Sequence, residues 1–494
     1  MSSPVKIPYN SFIKIDRQSS TPVYLQITNQ FSNAIQRNFL PKGTKLPGTR
    51  MMAVLLSVNR NTIVSAFEEL AEQGWIEVKP NKGTFVIEKT LQKPQKIQTD
   101  PKKYQYQYPV QTGFSFIQSN LMDNPFEKTR CTYIFNDGTP DFRLSQIEQL
   151  SSFYSACLRR KHIGKKWHDS NHTENDSFKR NLVNYLNLSR GLHIDISNLL
   201  TTRSSEMSIY LVSQILLNIN DTVAVADLSY FTSNMAFQKA GARIITIPTD
   251  KQGIDVDYLE KICKKQSLRM LYITPHYHYP TTVTLSAQRR VKLLHLAAKY
   301  GFIILEDDYD YDFHYDKSPV LPLTSVDGNG MVVYIGTFGK ALPSGFRTGF
   351  VVAPQNLIAE LQQHLTLIDH RRDTVMEQVL SELIKEGEIH RFQKKHLQIY
   401  QSRRDFFCRQ LETFFGNSLT FEKPSGGLAV WMEWNTPVNL LRLKKIAEKS
   451  DLFIPKTLLY QNKSTTAMRV GFGHLNEKEI EHSLSIIWKS ISKL

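Results

Sequence analysis

From Pro22 onward the apolar residues Tyr24, Ile27, Phe31, Ala34 and Ile35 recur every three or four positions. That spacing predicts an amphipathic helix that stops before Pro41-Lys-Gly43. A second, shorter helix is predicted to open at Leu46-Pro-Gly-Thr-Arg50, with Thr49 as N-cap, and to run through Leu56. The third begins at Arg60 and carries Ile63, Phe67 and Leu70 on one face, with Gly74 as its stop. Two short alternating runs, Trp75–Lys79 and Thr84–Glu88, flank Pro80-Asn-Lys-Gly83 and read as a hairpin. Helix, helix, tight turn, helix, hairpin is the order of a winged helix-turn-helix. Such a domain sends its third helix into the major groove N-terminus first, which would put Arg60, Asn61 and Thr62 at double-stranded DNA. Arginine can read a guanine edge and asparagine an adenine edge, while threonine suits a phosphate or a thymine methyl. Arg50, and Lys82 beside Gly83 at the wing tip, would hold the sugar-phosphate backbone.

Residues 91–130 lose this periodicity. Gln, Lys and Pro are frequent there, Tyr104-Gln-Tyr-Gln-Tyr108 interrupts them, and the stretch reads as an extended tether. From about Cys131 apolar runs alternate with longer amphipathic segments, the signature of an α/β domain with a mostly parallel sheet. Expected strands are Val223–Ala226, Arg243–Ile247, Met270–Thr274, Ile303–Glu306, Val332–Ile335 and Gly349–Ala353. Ligands of such sheets bind beyond the carboxyl ends of the strands, so the polar residues there are the ones to collect.

Three stretches stand out. In Tyr334-Ile-Gly-Thr-Phe-Gly-Lys340 a lysine sits in a glycine-rich turn between apolar runs, and Arg347 follows seven residues later. A desolvated lysine amine there could form a Schiff base with an aldehyde cofactor; a solvated loop lysine is the other reading. Ile303-Ile-Leu-Glu-Asp-Asp-Tyr309 drives carboxylates to the edge of the core, where they need a partner. A protonated pyridine nitrogen would serve, as would a metal ion or an open acidic loop. Asp227-Leu-Ser-Tyr230 brings a ring just past a strand, suited to stack on another. His276 and His278 lie two apart, but no third metal ligand is placed near them.

Composition narrows the setting. The 494 residues exceed one ordinary core, and 41% hydrophobic with 22% charged residues fits a globular protein. No apolar run approaches the roughly 20 residues that cross a bilayer. Met1–Asn10 lacks the apolar core of an export signal, and the four scattered cysteines suit a reducing compartment, so a cytoplasmic protein without a membrane partner is expected. Charge is uneven: residues 1–130 hold 17 Lys+Arg against 9 Asp+Glu, +8 of the chain's +15. A basic segment of that kind attracts nucleic acid, although excess charge also serves solubility.

Pro22-Val-Tyr-Leu-Gln26, Gly43-Thr-Lys-Leu-Pro47, Arg60-Asn-Thr62, Glu69-Leu-Ala-Glu-Gln-Gly74 and Gly83-Thr-Phe85 resemble the GntR-type DNA-binding domain almost throughout. Asp221-Thr-Val-Ala-Val, Gly241-Ala-Arg243, Glu306-Asp-Asp-Tyr-Asp310, Gly336-Thr-Phe-Gly-Lys340 and Met468-Arg-Val-Gly-Phe472 resemble the fold-type I aminotransferases, which use pyridoxal 5'-phosphate (PLP). The combination resembles MocR-type transcriptional regulators. The resemblance implies a GntR-type head over 17–90, a linker over 91–130, and an aminotransferase-like PLP-binding effector domain over 131–494, with a smaller C-terminal α/β subdomain. It implies that Lys340 carries the cofactor, Asp307 pairs with the pyridine N–H, Tyr309 bonds the ring oxygen and Tyr230 stacks on the ring. Thr337, Arg347 and Ser204 would hold the phosphate, His278 stands where a cofactor-side glutamine is common, and Arg469 would grip the carboxylate of an amino-acid ligand.

The chain leaves the family pattern in its phosphate turn, Thr202-Arg-Ser-Ser-Glu206, where Arg203 replaces a glycine. That arginine could obstruct the turn, supply a new phosphate contact, or neutralise Glu206. Gly339 and Ala341 replace two hydroxyl residues beside the lysine. Two functions follow from the resemblance. One is a homodimeric regulator of a promoter operator that senses PLP, or an amino acid or amine joined to it as an external aldimine. The alternative is a working aminotransferase with a DNA-binding domain attached.

Overall fold

Residues Val23–Gln36, Thr49–Leu56 and Arg60–Glu72 form helices α1, α2 and α3, because their apolar positions meet in one small core. Ile27, Phe31, Ile63, Ala66 and Leu70 are fully buried there, and Phe31 meets Phe67 edge-on at 5.9 Å. Each of the larger side chains, Ile27, Phe31, Ile63 and Leu70, stabilises the head by roughly 1.5–3 kcal/mol relative to exposure. Strands β1 (Lys45–Leu46), β2 (Ile76–Lys79) and β3 (Gly83–Val86) close an antiparallel sheet in the order β1-β3-β2. The short β1 was not expected from the sequence. The computed structural model describes residues 9, 13, 15–17, 22–36, 40–80, 82–87, 111–115, 127–159, 176–315, 320–340, 342–343, 346–369, 373–461 and 465–494. Most of the expected 91–130 linker, with its tyrosine run, lies outside them, as do Glu88 and Ala341. The described residues fall into two units, one before residue 126 and one after it.

Two local details set the turn ahead of α3. Gly48 rather than Thr49 is the N-cap of α2: Gly48 is extended (φ −60°, ψ 156°) and makes no side-chain capping bond, while Thr49 is already helical. Asn59 caps α3, its side-chain oxygen accepting the Asn61 amide at 2.9 Å, and Gly74 ends that helix in the left-handed region at φ 74°. Between the helices Ser57 takes φ 53°, and the Arg17 guanidinium donates to its carbonyl at 2.8 Å.

The second unit is built on a seven-stranded sheet: β4 (Leu199–Thr202), β5 (Thr222–Ala226), β6 (Arg243–Ile247), β7 (Met270–Ile273), β8 (Ile303–Asp308), β9 (Val332–Phe338) and β10 (Thr348–Val352). Their order is β4-β10-β9-β8-β7-β5-β6, with β10 antiparallel to both neighbours and the other pairs parallel. Six of these strands are the expected ones; β4, a four-residue edge strand, is additional. Period-two alternation sends Leu305, Val333, Ile335 and Val351 into one apolar layer with the helix Ser205–Leu216, and Leu271, Ile304 and Val332 into another with the helix Ala287–Tyr300. A smaller antiparallel sheet, β11 (Leu419–Phe421), β12 (Ala429–Trp434), β13 (Leu459–Gln461) and β14 (Thr466–Gly471), runs β11-β12-β14-β13. The long helix Glu388–Phe415 and the helix Glu477–Ile491 supply much of its core. No helix among the described residues is long and apolar enough to cross a membrane.

Candidate ligand cavity and nucleic-acid interface

The carboxylates at the end of β8 separate by strand alternation. Glu306 faces away from the cavity, and its two oxygens accept the amides of Leu323 and Thr324 at 2.8 and 3.0 Å. Asp308 shares that face, where it accepts Tyr334 Oη at 2.7 Å and meets His276 at 3.3 Å. Asp307, on the opposite face, accepts Tyr272 Oη at 2.7 Å on one oxygen, while Oδ1 is buried without a partner. Burial, assisted by the nearby Glu206 charge, pushes the Asp307 carboxyl up to about 7, against the pull of Tyr272 and Lys340. A buried acceptor left open in this way is aimed at something other than protein.

Asp307 lines a cavity of about 470 Å³ together with Lys340, Tyr309, Tyr230, Thr337, Arg347 and Ser204. Seven of the nine residues assigned to the cofactor or effector from the sequence therefore meet in one place, drawn from five of the strand ends. Lys340 lies just past β9, where Gly339 takes φ 74°. Its Nζ forms an ion pair with Asp310 and lies 5.0 Å from the Tyr309 ring centre. At the far side, Ser204 caps the helix Ser205–Leu216, accepting the Met207 amide at 3.2 Å. Arg347 uses Nε on the Leu342 carbonyl at 3.2 Å, and its other N–H groups have no protein acceptor among the described residues. Burial pulls its guanidinium below the usual arginine range. Gly349 is what lets β10 pass this turn: a Cβ there would lie 2.3 Å from the Ser204 carbonyl carbon. Arg203, which also lines the cavity, pairs its guanidinium with Asp369 through two bonds at 2.7 and 2.8 Å.

The remaining two lie behind the cavity wall. Arg469, only 1% exposed, donates to the carbonyls of Asp137 and Pro280 at 2.9 and 3.0 Å and to Tyr309 Oη at 3.2 Å. Tyr309 Oη in turn donates to the Tyr277 carbonyl at 2.6 Å. His278 is buried against Thr281 Oγ1 at 2.7 Å, and burial, with Arg469 nearby, drives its imidazole down to about 3, so it is neutral. Sequence reasoning missed Tyr272 and the Asn136–Thr139 segment of the cavity lining, and Asp310, which pairs with Lys340. Tyr272 had a weaker signal: it is a polar-tipped residue inside the expected strand Met270–Thr274. Asp310 had one as well, being the first acid beyond the strand.

This donor set fits pyridoxal phosphate. An orphaned carboxylate oxygen suits the pyridine N–H, a lysine amine suits the aldehyde, and open arginine N–H groups opposite a helix N-terminus suit the phosphate.

On the first unit, Arg60 and Asn61 are exposed at the N-terminus of α3 and Thr62 is half-buried beside them. Arg50 is exposed on α2, and Lys82 is exposed at the hairpin tip, where Gly83 takes φ 113°. Lys45 and Lys79 also flank that hairpin, each within 6 Å of the Phe85 ring centre (5.9 and 5.8 Å). All the DNA-facing residues assigned from the sequence are thus at the surface or its edge.

Residues 136–487 match the family model of aminotransferase class I and II, and residues 23–86 match that of the bacterial regulatory proteins of the gntR family. YdfD, an uncharacterized HTH-type transcriptional regulator of Bacillus subtilis, is 25% identical over 493 residues, 98% of this chain and 99% of that protein. The probable rhizopine catabolism regulatory protein MocR of Rhizobium meliloti is 23% identical over 418 residues, 84% of this chain and 82% of that one. Among solved structures, a multiple substrate aminotransferase from Thermococcus profundus superposes with a TM-score of 0.67 at 23% identity, over 74% of this chain and 92% of that one. That likeness carries the fold.

Proposed function

Because this chain belongs to the aminotransferase class I and II family and carries a GntR-type head, we propose that it is a transcriptional regulator that reads a promoter operator and responds to an amino compound. The observation that carries this reading is the intact reading helix, with Arg60 and Asn61 exposed at its N-terminus over a complete apolar core. An enzyme has no use for that surface. In this reading residues 17–90 are the DNA-binding head, 91–130 the tether and 131–494 the effector domain of a cytoplasmic homodimer. Two tethered heads raise each other's effective concentration at a paired site.

Asp307, Lys340, Tyr309, Tyr230, Thr337, Arg347 and Ser204 would hold pyridoxal phosphate in the cavity they line. Bound there, the cofactor supplies an aldehyde carbon that takes up amines and a ring that withdraws electrons. The chain's part is to orient. Asp307 offers its open oxygen and Arg347 its open N–H groups, and Tyr309 is pinned between the Tyr277 carbonyl and Arg469. An amino-compound effector shifts DNA affinity only as far as it prefers one arrangement of the protein over another.

DNase footprinting on the region around the protein's own gene, with PLP and a panel of amino acids and amines, tests the proposal. A protected paired site whose occupancy changes with one of them is the expected result. Occupancy no better than on random duplex at moderate salt would refute it. The second reading, a working aminotransferase, draws on the survival of Lys340, Asp307 and Tyr309 in one cavity. Sustained turnover of an amino acid with a keto acid at ordinary enzymatic rates would establish it instead.

A further inference from the structure

We propose that Asp310 is a seat for the Lys340 ammonium, so that the site favours an incoming amine over its own lysine at the cofactor's aldehyde carbon. This rests on cofactor attachment at Lys340. The Asp310 side chain is 1% exposed and pairs with Lys340 Nζ through Oδ1, while its second oxygen, Oδ2, is buried without a partner. Gly427, at φ 74°, comes close to that second oxygen: a Cβ there would stand 3.2 Å from it. A carboxylate so enclosed is costly without an opposite charge, and the lysine ammonium is the charge that meets it.

The pair bears on the exchange in one direction. When an amine in its ammonium form displaces the lysine, the C=N double bond to Nζ is exchanged for a C=N double bond to the incoming nitrogen. The three ammonium protons end on Nζ. The product lysine is cationic, and Asp310 is placed to hold it. The reverse step needs Nζ to leave Asp310, which would strand a buried carboxylate. An ammonium also lacks the lone pair with which to act as a base, which suits a site that retains its amine instead of converting it.

Other charged or titratable groups face the pair. Asp307 and Tyr309 come from the same strand end, Arg469 from the small sheet, and Tyr315 from the loop beyond β8. Arg347 and Glu206 line the same cavity. Asp307 titrates in the working range, so wild type and Asp310→Asn, which share it, are compared at every pH.

The test uses full-length protein with PLP, follows the visible absorbance of the lysine-linked cofactor, and displaces it with methylamine. Asp310→Asn should need about tenfold more methylamine for half-displacement. Asp310→Glu, which keeps the charge, should restore most of the wild-type value. Half-displacement of Asp310→Asn within about twofold of wild type overturns the proposal. Should Asp310→Asn fail to fold, Asp310→Ser, which also removes the charge, is judged by the same outcomes. A wild-type protein with no Lys340-dependent absorbance overturns the cofactor reading and this one together; normal attachment with an unchanged Asp310→Asn overturns only this one.

Discussion

The N-terminus of α3 and the carboxyl end of β8 present chemistry in opposite ways. Arg60, Asn61 and Thr62 are consecutive, lie at the surface, and need little beyond a capped helix to point them outward. At β8 consecutive residues part company: Glu306 and Asp308 are consumed by loop amides, Tyr334 and His276, while Asp307 keeps one oxygen for the cavity. A ligand as large and charged as DNA is met by exposed groups, and much of the binding is electrostatic. A small ligand is met by few groups whose strength comes from exclusion of water, and each must first be held by another. The head can therefore be weakened by degrees, whereas the cavity fails at single atoms.

That contrast breaks most sharply at Lys340. Lys340→Ala should abolish the visible absorbance of PLP-treated protein while the thermal transition of the head stays in place, as read by absorbance and circular dichroism. Phe31→Ala removes a fully buried ring from the head and should cost about 3–5 kcal/mol in urea unfolding of that unit, with the cofactor spectrum unchanged. Arg60→Ala should weaken binding to the footprinted operator by about 1–3 kcal/mol and relax its sequence preference, seen in fluorescence anisotropy, whereas Lys82→Ala should weaken all sequences alike and lower the salt slope by about 1.

A subtler separation lies in pH. Burial holds the Asp307 carboxyl near 7 in the cofactor-free protein, against 3.8 for an ordinary aspartate. The folded state thus binds the proton more tightly than the unfolded one, so this contribution to stability is full below about pH 4 and is lost as pH rises through about 7. Wild type should lose stability relative to Asp307→Asn over that range, measured by urea unfolding without cofactor. Equal slopes would mean that Asp307 is not held in this way, and bound PLP should reduce the difference by supplying a partner.

The reading helix and six of the seven large-sheet strands were legible because their signals are local. Apolar spacing and Gly74 after Gln73 both act within a turn or two. Thr49 misled because a threonine is a good N-cap in isolation, yet the extended Gly48 already ends the chain's entry into α2. The edge strand Leu199–Thr202 was overlooked because four residues carry too little alternation to stand out. In the cavity, residue types at strand ends singled out Lys340, Asp307 and Tyr309 and the family resemblance gave them, with Arg347, their expected roles, but neither indicated their partners. Arg203 shows why: its possible roles at the turn were all local, and its bidentate partner is Asp369, 166 residues away.

The sequence by itself, with the family resemblance its motifs carry, singled out Arg60 and its neighbours for DNA and Lys340 and Asp307 for a cofactor, since backbone propensity and side-chain chemistry operate over a few residues. The tertiary structure decided the pairings. Tyr272 takes one oxygen of Asp307 and leaves the other open, Asp310 takes the Lys340 ammonium, and Arg469 is engaged with the Asp137 and Pro280 carbonyls. Those contacts join segments up to 332 residues apart, and a hydrogen bond depends on distance and direction between atoms, whatever the length of chain between them.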